Sequence, residues 1–444
     1  INVSLNSGSV AAVNLYTSLS YQAVMTTSEN KLTYLLAEVC PGEEIGSGPM
    51  GLNLAIVLDK SGSMYAEGKL NYVIQAVNHA IDMFRANDLC SIIAFAERAR
   101  VLIPSSQLYD KSTAKLMVNK IDHVDVGAGT DMLKAIDAAL YEVRCNFSRD
   151  KLNHIILLTD GQTLNEKQCL DRCIMAAEEG ISISTIGVGD DFNEKFLLKI
   201  ASMCRGTSYY IDRPSNIQDI FAHELAGVQN VVVKNCQLNL KLPKDVTVRR
   251  AYKVKPLIND LGTPQVIDRK CSIGLADLQR NEKQSVLYEL VLPSRYAGVY
   301  RIASVSVSYE VPGQGVYDNV NPQDVTMTYT DDPSQASVVV PKVMQIVDSV
   351  SIFRQQTRAL QLAQEGERGK ATQLLRSAAT QLLQQGQTEL ADQALSEANR
   401  LERGSAASAA GTKKLEYGTR KLTQLLSEIP DFDSPVGVVD LTKK

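Results

Sequence analysis

The stretch NLAIVLDKSGS at residues 53–63 decides the fold of this chain. Its first six residues, Asn53–Leu58, form an almost continuous apolar run of strand length. Such a run predicts a strand buried on both faces, as in a parallel sheet covered by helices. Asp59, Ser61 and Ser63 follow at once, in the loop that leaves the carboxyl end of this strand. The stretch therefore predicts an α/β domain with a cluster of oxygen ligands at one strand end.

The alternation of strand and helix continues from about residue 50 to residue 227. Short Ile/Val/Leu runs are separated by amphipathic helical patterns, which is typical of a doubly wound, mostly parallel sheet with helices on both faces. We assign this α/β domain to residues 48–228. The predicted strands are Asn53–Leu58, Leu89–Phe95, Asn153–Thr159, Ile181–Val188 and Ser208–Ile211. The predicted helices are Lys69–Arg85, Ser112–Ile121, Asp131–Val143, Glu166–Glu179, Asn193–Met203 and Ile217–Val228.

Two further loops bring polar side chains to the same edge of the sheet. Residues 127–131 open a helix with the sequence GAGTD, and residues 159–161 end a strand with TDG. An open α/β sheet binds its ligands at the carboxyl ends of its strands, so these loops should meet. Together with the loop at residues 59–63, they supply two carboxylates and three hydroxyls. This oxygen set suits a hard cation such as Mg²⁺. The predicted metal ligands are Asp59, Ser61, Ser63, Thr130 and Asp160.

These three segments resemble the von Willebrand factor type A (VWA) family and its metal-ion-dependent adhesion site. That site has Asp-x-Ser-x-Ser after an apolar strand, then Gly-x-Thr-Asp, then a strand that ends in Thr-Asp-Gly. The resemblance implies that Ser61, Ser63 and Thr130 contact the metal through their hydroxyls. It also implies that Asp59 and Asp160 hold the metal mainly through water. The metal would be Mg²⁺, or Mn²⁺ or Ca²⁺ in its place.

The regions on either side of the α/β domain have different patterns. Residues 1–47 and 229–340 alternate polar and apolar side chains, which predicts strands. The first region has too few strands to bury a core alone, so we expect it to complete a β-sandwich of roughly seven strands built from the second. The α/β domain is then inserted in this sandwich. Residues 341–428 predict a C-terminal helical bundle, and residues 429–444 a flexible tail. This layout resembles bacterial VWA proteins akin to inter-alpha-trypsin-inhibitor heavy chains.

Composition excludes several classes of function. The net charge is −4, so a general nucleic-acid surface is not expected. No apolar run approaches the roughly 20 residues that span a bilayer. The eight cysteines are scattered, as expected of reduced thiols in a cytoplasmic protein. Export is still compatible with the sequence, because the chain begins at Ile1 and an earlier segment could have been removed.

We find no catalytic set and no further cofactor-binding residues. No Ser/His/Asp arrangement can be assembled, and the glycines of residues 127–129 lack the Gly-Lys-Ser/Thr of a nucleotide-binding loop. The sequence therefore predicts a protein-interaction module, not an enzyme, in which an Asp or Glu of a protein partner completes the Mg²⁺ shell. Two alternatives remain: an accessory subunit of an AAA+ ATPase machine, and an exported surface adhesin. The oligomeric state is not predicted.

Overall fold

The computed structural model describes residues 13–42, 50–160, 163, 165–189, 192–211, 213–280, 282–311 and 317–425. The predicted tail at residues 429–444 lies outside this part of the chain. The described residues begin with three strands, β1 (Val13–Leu19), β2 (Ala23–Met25) and β3 (Lys31–Pro41). Five successive residues of β3 are buried, and the strand pairs on both sides. It is therefore an interior strand, although it lies near the start of the chain.

The α/β domain follows, and its core is one six-stranded sheet in the order β6-β5-β4-β7-β8-β9. All neighbours in it are parallel except β5 and β6, which are antiparallel. Its strands are β4 (Gly51–Asp59), β5 (Leu89–Phe95), β6 (Ala99–Gln107), β7 (Lys151–Thr159), β8 (Ile181–Val188) and β9 (Arg205–Ile211). Its helices are α1 (Lys69–Met83), α2 (Lys111–Asn119), α3 (Met132–Cys145), α4 (Glu166–Glu178), α5 (Glu194–Met203) and α6 (Ile217–Gln229). Strand β6 was not predicted from the sequence, and β9 begins three residues before its predicted start.

Helices cover both faces of this sheet, as the buried strands require. The apolar side chains of one face pack with α1, α2 and α6, and those of the other face with α3, α4 and α5. Side chains of β4 alternate between these two clusters, so Ile56 belongs to the first and Val57 to the second. The predicted doubly wound architecture is therefore confirmed.

Two sheets form the sandwich, with β1 and β3 in one and β2 in the other. Their pairs are antiparallel as predicted, except that β2 pairs in parallel with β17 at the edge of the second sheet. One sheet has the order β1-β3-β15-β11-β12 and the other β13-β10-β16-β17-β2, with β14 beside β10. Their buried faces pack on each other in one apolar cluster that contains Leu35 of β3 from the first sheet and Leu238 of β10 from the second. The remaining strands are β10 (Val231–Lys241), β11 (Thr247–Lys255), β12 (Asn259–Asp260), β13 (Lys270–Gly274), β14 (Leu278–Gln279), β15 (Gln284–Leu292), β16 (Gly298–Glu310) and β17 (Tyr317–Thr330). The α/β domain is thus inserted between β3 and β10.

The C-terminal helices pack on the outer face of the β3-containing sheet. Leu36, Tyr252 and Leu287 of that sheet share an apolar cluster with the helices. In the described part of the chain, no helix is both long and apolar enough to cross a membrane. The helices are α7 (Pro333–Ala336), α8 (Pro341–Gln364), α9 (Arg368–Gln384), α10 (Thr388–Glu402), α11 (Ala409–Arg420) and α12 (Leu422–Leu425).

Candidate metal site

The two predicted carboxylates lie at the ends of neighbouring strands. Asp59 is the last residue of β4, and Asp160 directly follows Thr159, the last residue of β7. Because β4 and β7 are parallel partners, both residues are at the same edge of the sheet. The Thr159 hydroxyl donates a hydrogen bond to Asp59 Oδ2 at 2.5 Å. Both carboxylates are almost completely buried.

The two predicted serines join these carboxylates in one cluster. After Asp59 the chain turns into a short 3₁₀ helix, Gly62–Gly68, with Ser61 at its amino end. The Ser61 backbone N–H donates to Asp59 Oδ1 at 2.7 Å, and the hydroxyl oxygens of Ser61 and Ser63 lie 3.1 Å apart. The Ser63 hydroxyl then donates to Asp160 Oδ1 at 2.6 Å. A continuous chain of contacts therefore connects Asp59, Ser61, Ser63 and Asp160.

Thr130 lies in the third loop, which is held near the cluster by its neighbours. The Asp131 N–H donates to the carbonyl of Ala96, directly after β5, at 2.7 Å. The Met132 N–H donates to the Thr163 hydroxyl, in the loop after β7, at 3.3 Å. Among the described residues, no hydrogen bond joins the Thr130 hydroxyl itself to the other four side chains. The structure thus brings four of the five predicted ligands into contact and positions the loop of the fifth beside them.

Lys69 is a member of the site that was not predicted from the sequence. Its ammonium donates to Asp160 Oδ2 at 2.8 Å, and both side chains are buried. Lys69 is the first residue of α1. The amino end of a helix repels positive charge, so a buried lysine there is unusual and needs a nearby anion. That placement is the one sequence signal that could have indicated its role.

Asp59 has no cationic partner of this kind. Within the described ranges, no lysine, arginine or histidine forms an ion pair with it, and it is fully buried. Burial raises the pKa of Asp59 to about 6, against the opposing effect of the hydrogen bonds from Thr159 and Ser61, and the nearby charge of Asp160 adds to the rise. A cation beside Asp59 would compensate this carboxylate. The oxygen-only donors fit a hard divalent ion.

The neighbouring Lys60 is occupied elsewhere. Its ammonium donates to the carbonyl oxygens of Asp122 at 3.0 Å and Val124 at 2.9 Å. The variable position of the Asp-x-Ser-x-Ser motif therefore anchors the loop that precedes Thr130, and it does not neutralise Asp59.

Comparison with known proteins defines the class. The von Willebrand factor type A domain family matches residues 53–223, and the family described as Sll0103-like, C-terminal alpha-helical domain matches residues 341–425. The chain therefore contains a VWA domain and, after the sandwich, a C-terminal helical domain of the Sll0103-like kind. VWA domains are in general modules for metal-dependent protein interaction.

Two of the similar proteins match most of the chain, and a third matches part of it. The protein sll0103 of Synechocystis sp. is 29% identical over 384 residues, which are 85% of this chain and 87% of that protein. A solved structure of a von Willebrand factor type A protein from Catenulispora acidiphila superposes with a TM-score of 0.76 at 17% identity, over 95% of this chain and 99% of that one. Mouse inter-alpha-trypsin inhibitor heavy chain H2 is 23% identical over 43% of this chain and 21% of its own length. The predicted resemblance to VWA proteins is confirmed, and the structural likeness extends over the flanking domains.

Proposed function

We propose that this protein binds a protein partner through a divalent cation at the Asp59–Asp160 cluster. In this proposal Asp59, Ser61, Ser63, Thr130 and Asp160 hold Mg²⁺, with Mn²⁺ or Ca²⁺ able to replace it. An Asp or Glu of the partner occupies a remaining position of the metal. The observation that supports this most directly is the buried Asp59 carboxylate, which has hydroxyl groups around it and no cation paired with it among the described residues. Such a charge is costly to bury unless a cation compensates it.

The same contacts support binding over catalysis. The hydroxyls of Ser61 and Ser63 lie against each other, and the latter donates to Asp160. Neither hydroxyl has a histidine beside it in the described part of the chain, so neither forms the Ser–His pair that activates a serine nucleophile. All eight cysteines are free thiols. That state suits a reducing compartment, so we propose the cytoplasm as the place of action.

Calorimetric titration with Mn²⁺ tests the metal site. The wild-type protein should bind Mn²⁺, and Asp59→Ala and Thr130→Ala should each abolish detectable binding. The fold should survive these changes, because Asp59 is at the very end of β4 and Thr130 lies in a loop at the same edge of a formed sheet. Thr130→Ser keeps the hydroxyl and should retain binding, which separates loss of a ligand from general damage. Unchanged Mn²⁺ affinity in Asp59→Ala would contradict the proposed site.

Binding of a partner is tested with an acidic peptide library in the presence of metal. Peptides that contain Asp or Glu should be retained by the Mn²⁺-loaded protein and released by a chelator. Retention should disappear in Thr130→Ala and return in Thr130→Ser. Retention that is unaffected by the chelator would show that the partner site is not the metal.

A further inference from the structure

A polar cavity lies at the end of the α/β sheet opposite the metal cluster, where the α/β domain, the sandwich and the C-terminal helices meet. Its volume is about 110 Å³. Leu152 and His154 line it from the start of β7, whereas Asp160 lies beyond the end of that strand. Lys253 of β11 lines it from the sandwich and Arg420 of α11 from the helices. The cavity is therefore separate from the metal cluster and exists only when all three parts are assembled.

One wall of the cavity is a network of paired polar groups. His154 Nδ1 lies 2.6 Å from the Ser182 hydroxyl, and His154 Nε2 lies 3.3 Å from Glu224 Oε1 without making a hydrogen bond. Asn259 Nδ2 donates to the Ser202 hydroxyl at 2.7 Å on another side. Groups that are already paired in this way fix the shape of the wall. They leave the recognition of a ligand to groups that are not paired.

Two charged side chains of opposite sign line the cavity without such partners. Among the residues that the structure describes, neither the Lys253 ammonium nor the Glu282 carboxylate makes a hydrogen bond or an ion pair. Burial, and to a smaller degree Arg205, lowers the pKa of Lys253 to about 8. Burial and the nearby Glu224 raise the pKa of Glu282 to about 7. Each of these pKa shifts means that the charged form of the side chain is not compensated by a group of opposite charge.

We propose that this cavity binds a small zwitterion with the chemistry of a free amino acid. The carboxylate of the ligand pairs with Lys253, and its ammonium pairs with Glu282. This ligand supplies both missing charges at once, whereas a simple anion or cation compensates one and leaves the other uncompensated. The inference rests on the uncompensated charges of Lys253 and Glu282, and it is independent of the proposed metal site.

The cavity is large enough for a small ligand of this kind. The centres of water-sized groups can occupy about 110 Å³ of it, which leaves room for glycine or alanine. Because a ligand here contacts residues of all three parts, binding should stabilise their association.

Calorimetry and thermal unfolding of the full chain with glycine, alanine, acetate and methylammonium test the proposal. Glycine or alanine should bind saturably and raise the unfolding temperature. Acetate and methylammonium each contain half of the zwitterion and should bind at least tenfold more weakly. Lys253→Met and Glu282→Gln should each weaken binding of the amino acid at least tenfold. The exposed Lys270→Met and Glu29→Gln are the matched controls and should leave it unchanged.

Three results would overturn the proposal. They are absence of amino-acid binding to the wild-type protein at millimolar concentrations, acetate binding as tightly as glycine, and unchanged affinity in both cavity variants. If a cavity variant fails to fold, the comparison of glycine with its two halves on the wild-type protein still decides. Thr130→Ala should retain amino-acid binding, so failure of the metal site and failure of this cavity are distinguished.

Discussion

Lys69 and Asp160 form a buried ion pair inside the cluster where we place the metal. The ammonium neutralises Asp160 at 2.8 Å, so this carboxylate is compensated before any metal arrives. A divalent ion that enters the cluster meets the positive charge of Lys69 and competes with it for the same carboxylate. Lys69 should therefore weaken metal binding while it stabilises the metal-free protein.

Replacing Lys69 by methionine should tighten Mn²⁺ binding about tenfold, which corresponds to about 1.4 kcal/mol. The metal-free variant should be less stable than the wild type, because Asp160 then has no buried counter-charge. Titration calorimetry and thermal unfolding with and without Mn²⁺ measure both effects. Lys60→Met removes a lysine of the loop after β4 whose ammonium binds carbonyl groups, and it should not tighten binding. Weaker Mn²⁺ binding in Lys69→Met would mean that Lys69 positions Asp160 for the metal.

Glu282 makes the stability of the protein depend on pH. Its folded pKa of about 7 lies above its ordinary value of 4.5, so the folded state retains the proton more strongly than the unfolded state. The contribution of Glu282 to stability should therefore be fully present below pH 4.5 and be lost as the pH rises through 7. Glu282→Gln should abolish this loss and be more stable than the wild type at pH 8, by up to about 3 kcal/mol. Urea unfolding at pH 5 and pH 8 measures it, and an equal difference at both pH values would contradict the assignment.

The motif predicted four side chains that the structure brings into contact, but it did not predict the electrostatics of their cluster. Asp59, Ser61 and Ser63 follow one strand in sequence, so their proximity is local. The ion pair of Asp160 depends on how α1 lies over the sheet, and no pattern in the chain states that. For the same reason, the cavity lined by Lys253 and Glu282 could not be predicted, since its wall is built from three parts of the chain.

Helix α9 shows how far an apolar pattern predicts packing. The sequence places Leu374, Leu375, Leu382 and Leu383 on helical spacing, and the helix forms over Arg368–Gln384. In the structure Leu375 and Leu382 are buried, whereas Leu383 is 49% exposed. Adjacent leucines are about 100° apart around a helix, so both members of a pair cannot face the same core. The pattern thus identifies the helix but not which leucine is buried.

Leu375→Ala and Leu383→Ala form a matched pair that tests this difference. Leu375 is completely buried in the cluster between the helices and the sandwich, so its truncation should lower the free energy of unfolding by about 2–5 kcal/mol. Truncation of the exposed Leu383 should change it by less than about 0.5 kcal/mol. Chemical denaturation of both variants measures the two values. Equal losses would show that α9 does not pack as described.

Strand β6 was missed for an identifiable reason. It contains Pro104 and begins directly after the tight turn that follows β5, so its apolar residues are few and interrupted. Proline is acceptable there because β6 is the edge strand of the sheet and, among the residues that the structure describes, pairs only with β5. Edge strands give weak sequence patterns, because no neighbouring strand is hydrogen-bonded to one of their two edges.

The whole molecule is organised around an insertion. Strand β3 lies between β1 and β15 in its sheet. Leu35 of β3 is paired with Tyr288 of β15, although the α/β domain separates the two residues in the sequence. The sandwich therefore needs residues from both sides of that domain, whereas the sheet of the α/β domain is built entirely from residues 51–211. The alternating pattern was enough to predict this topology, because three strands alone cannot bury a core.

Deletion of residues 1–45 should therefore destabilise the sandwich more than the α/β domain. It removes β3 and leaves β15 with one neighbour in place of two. Hydrogen exchange followed by mass spectrometry measures both domains in one sample, so the amides of β4 and β7 are the internal control. Exchange should increase strongly in β15 and β10 and little in β4 and β7. Undiminished protection of β15 would contradict the topology.

The insertion also determines the order in which parts of the chain can fold during synthesis. Strands β1 to β3 leave the ribosome first, but β15 emerges only after the complete α/β domain has been made. The α/β domain can fold as a unit in that interval. Meanwhile β3, with five successive buried positions in the finished protein, has no partner on the side that β15 will occupy. An apolar strand with an open edge is prone to aggregate, so the nascent chain should depend on a chaperone most during this interval.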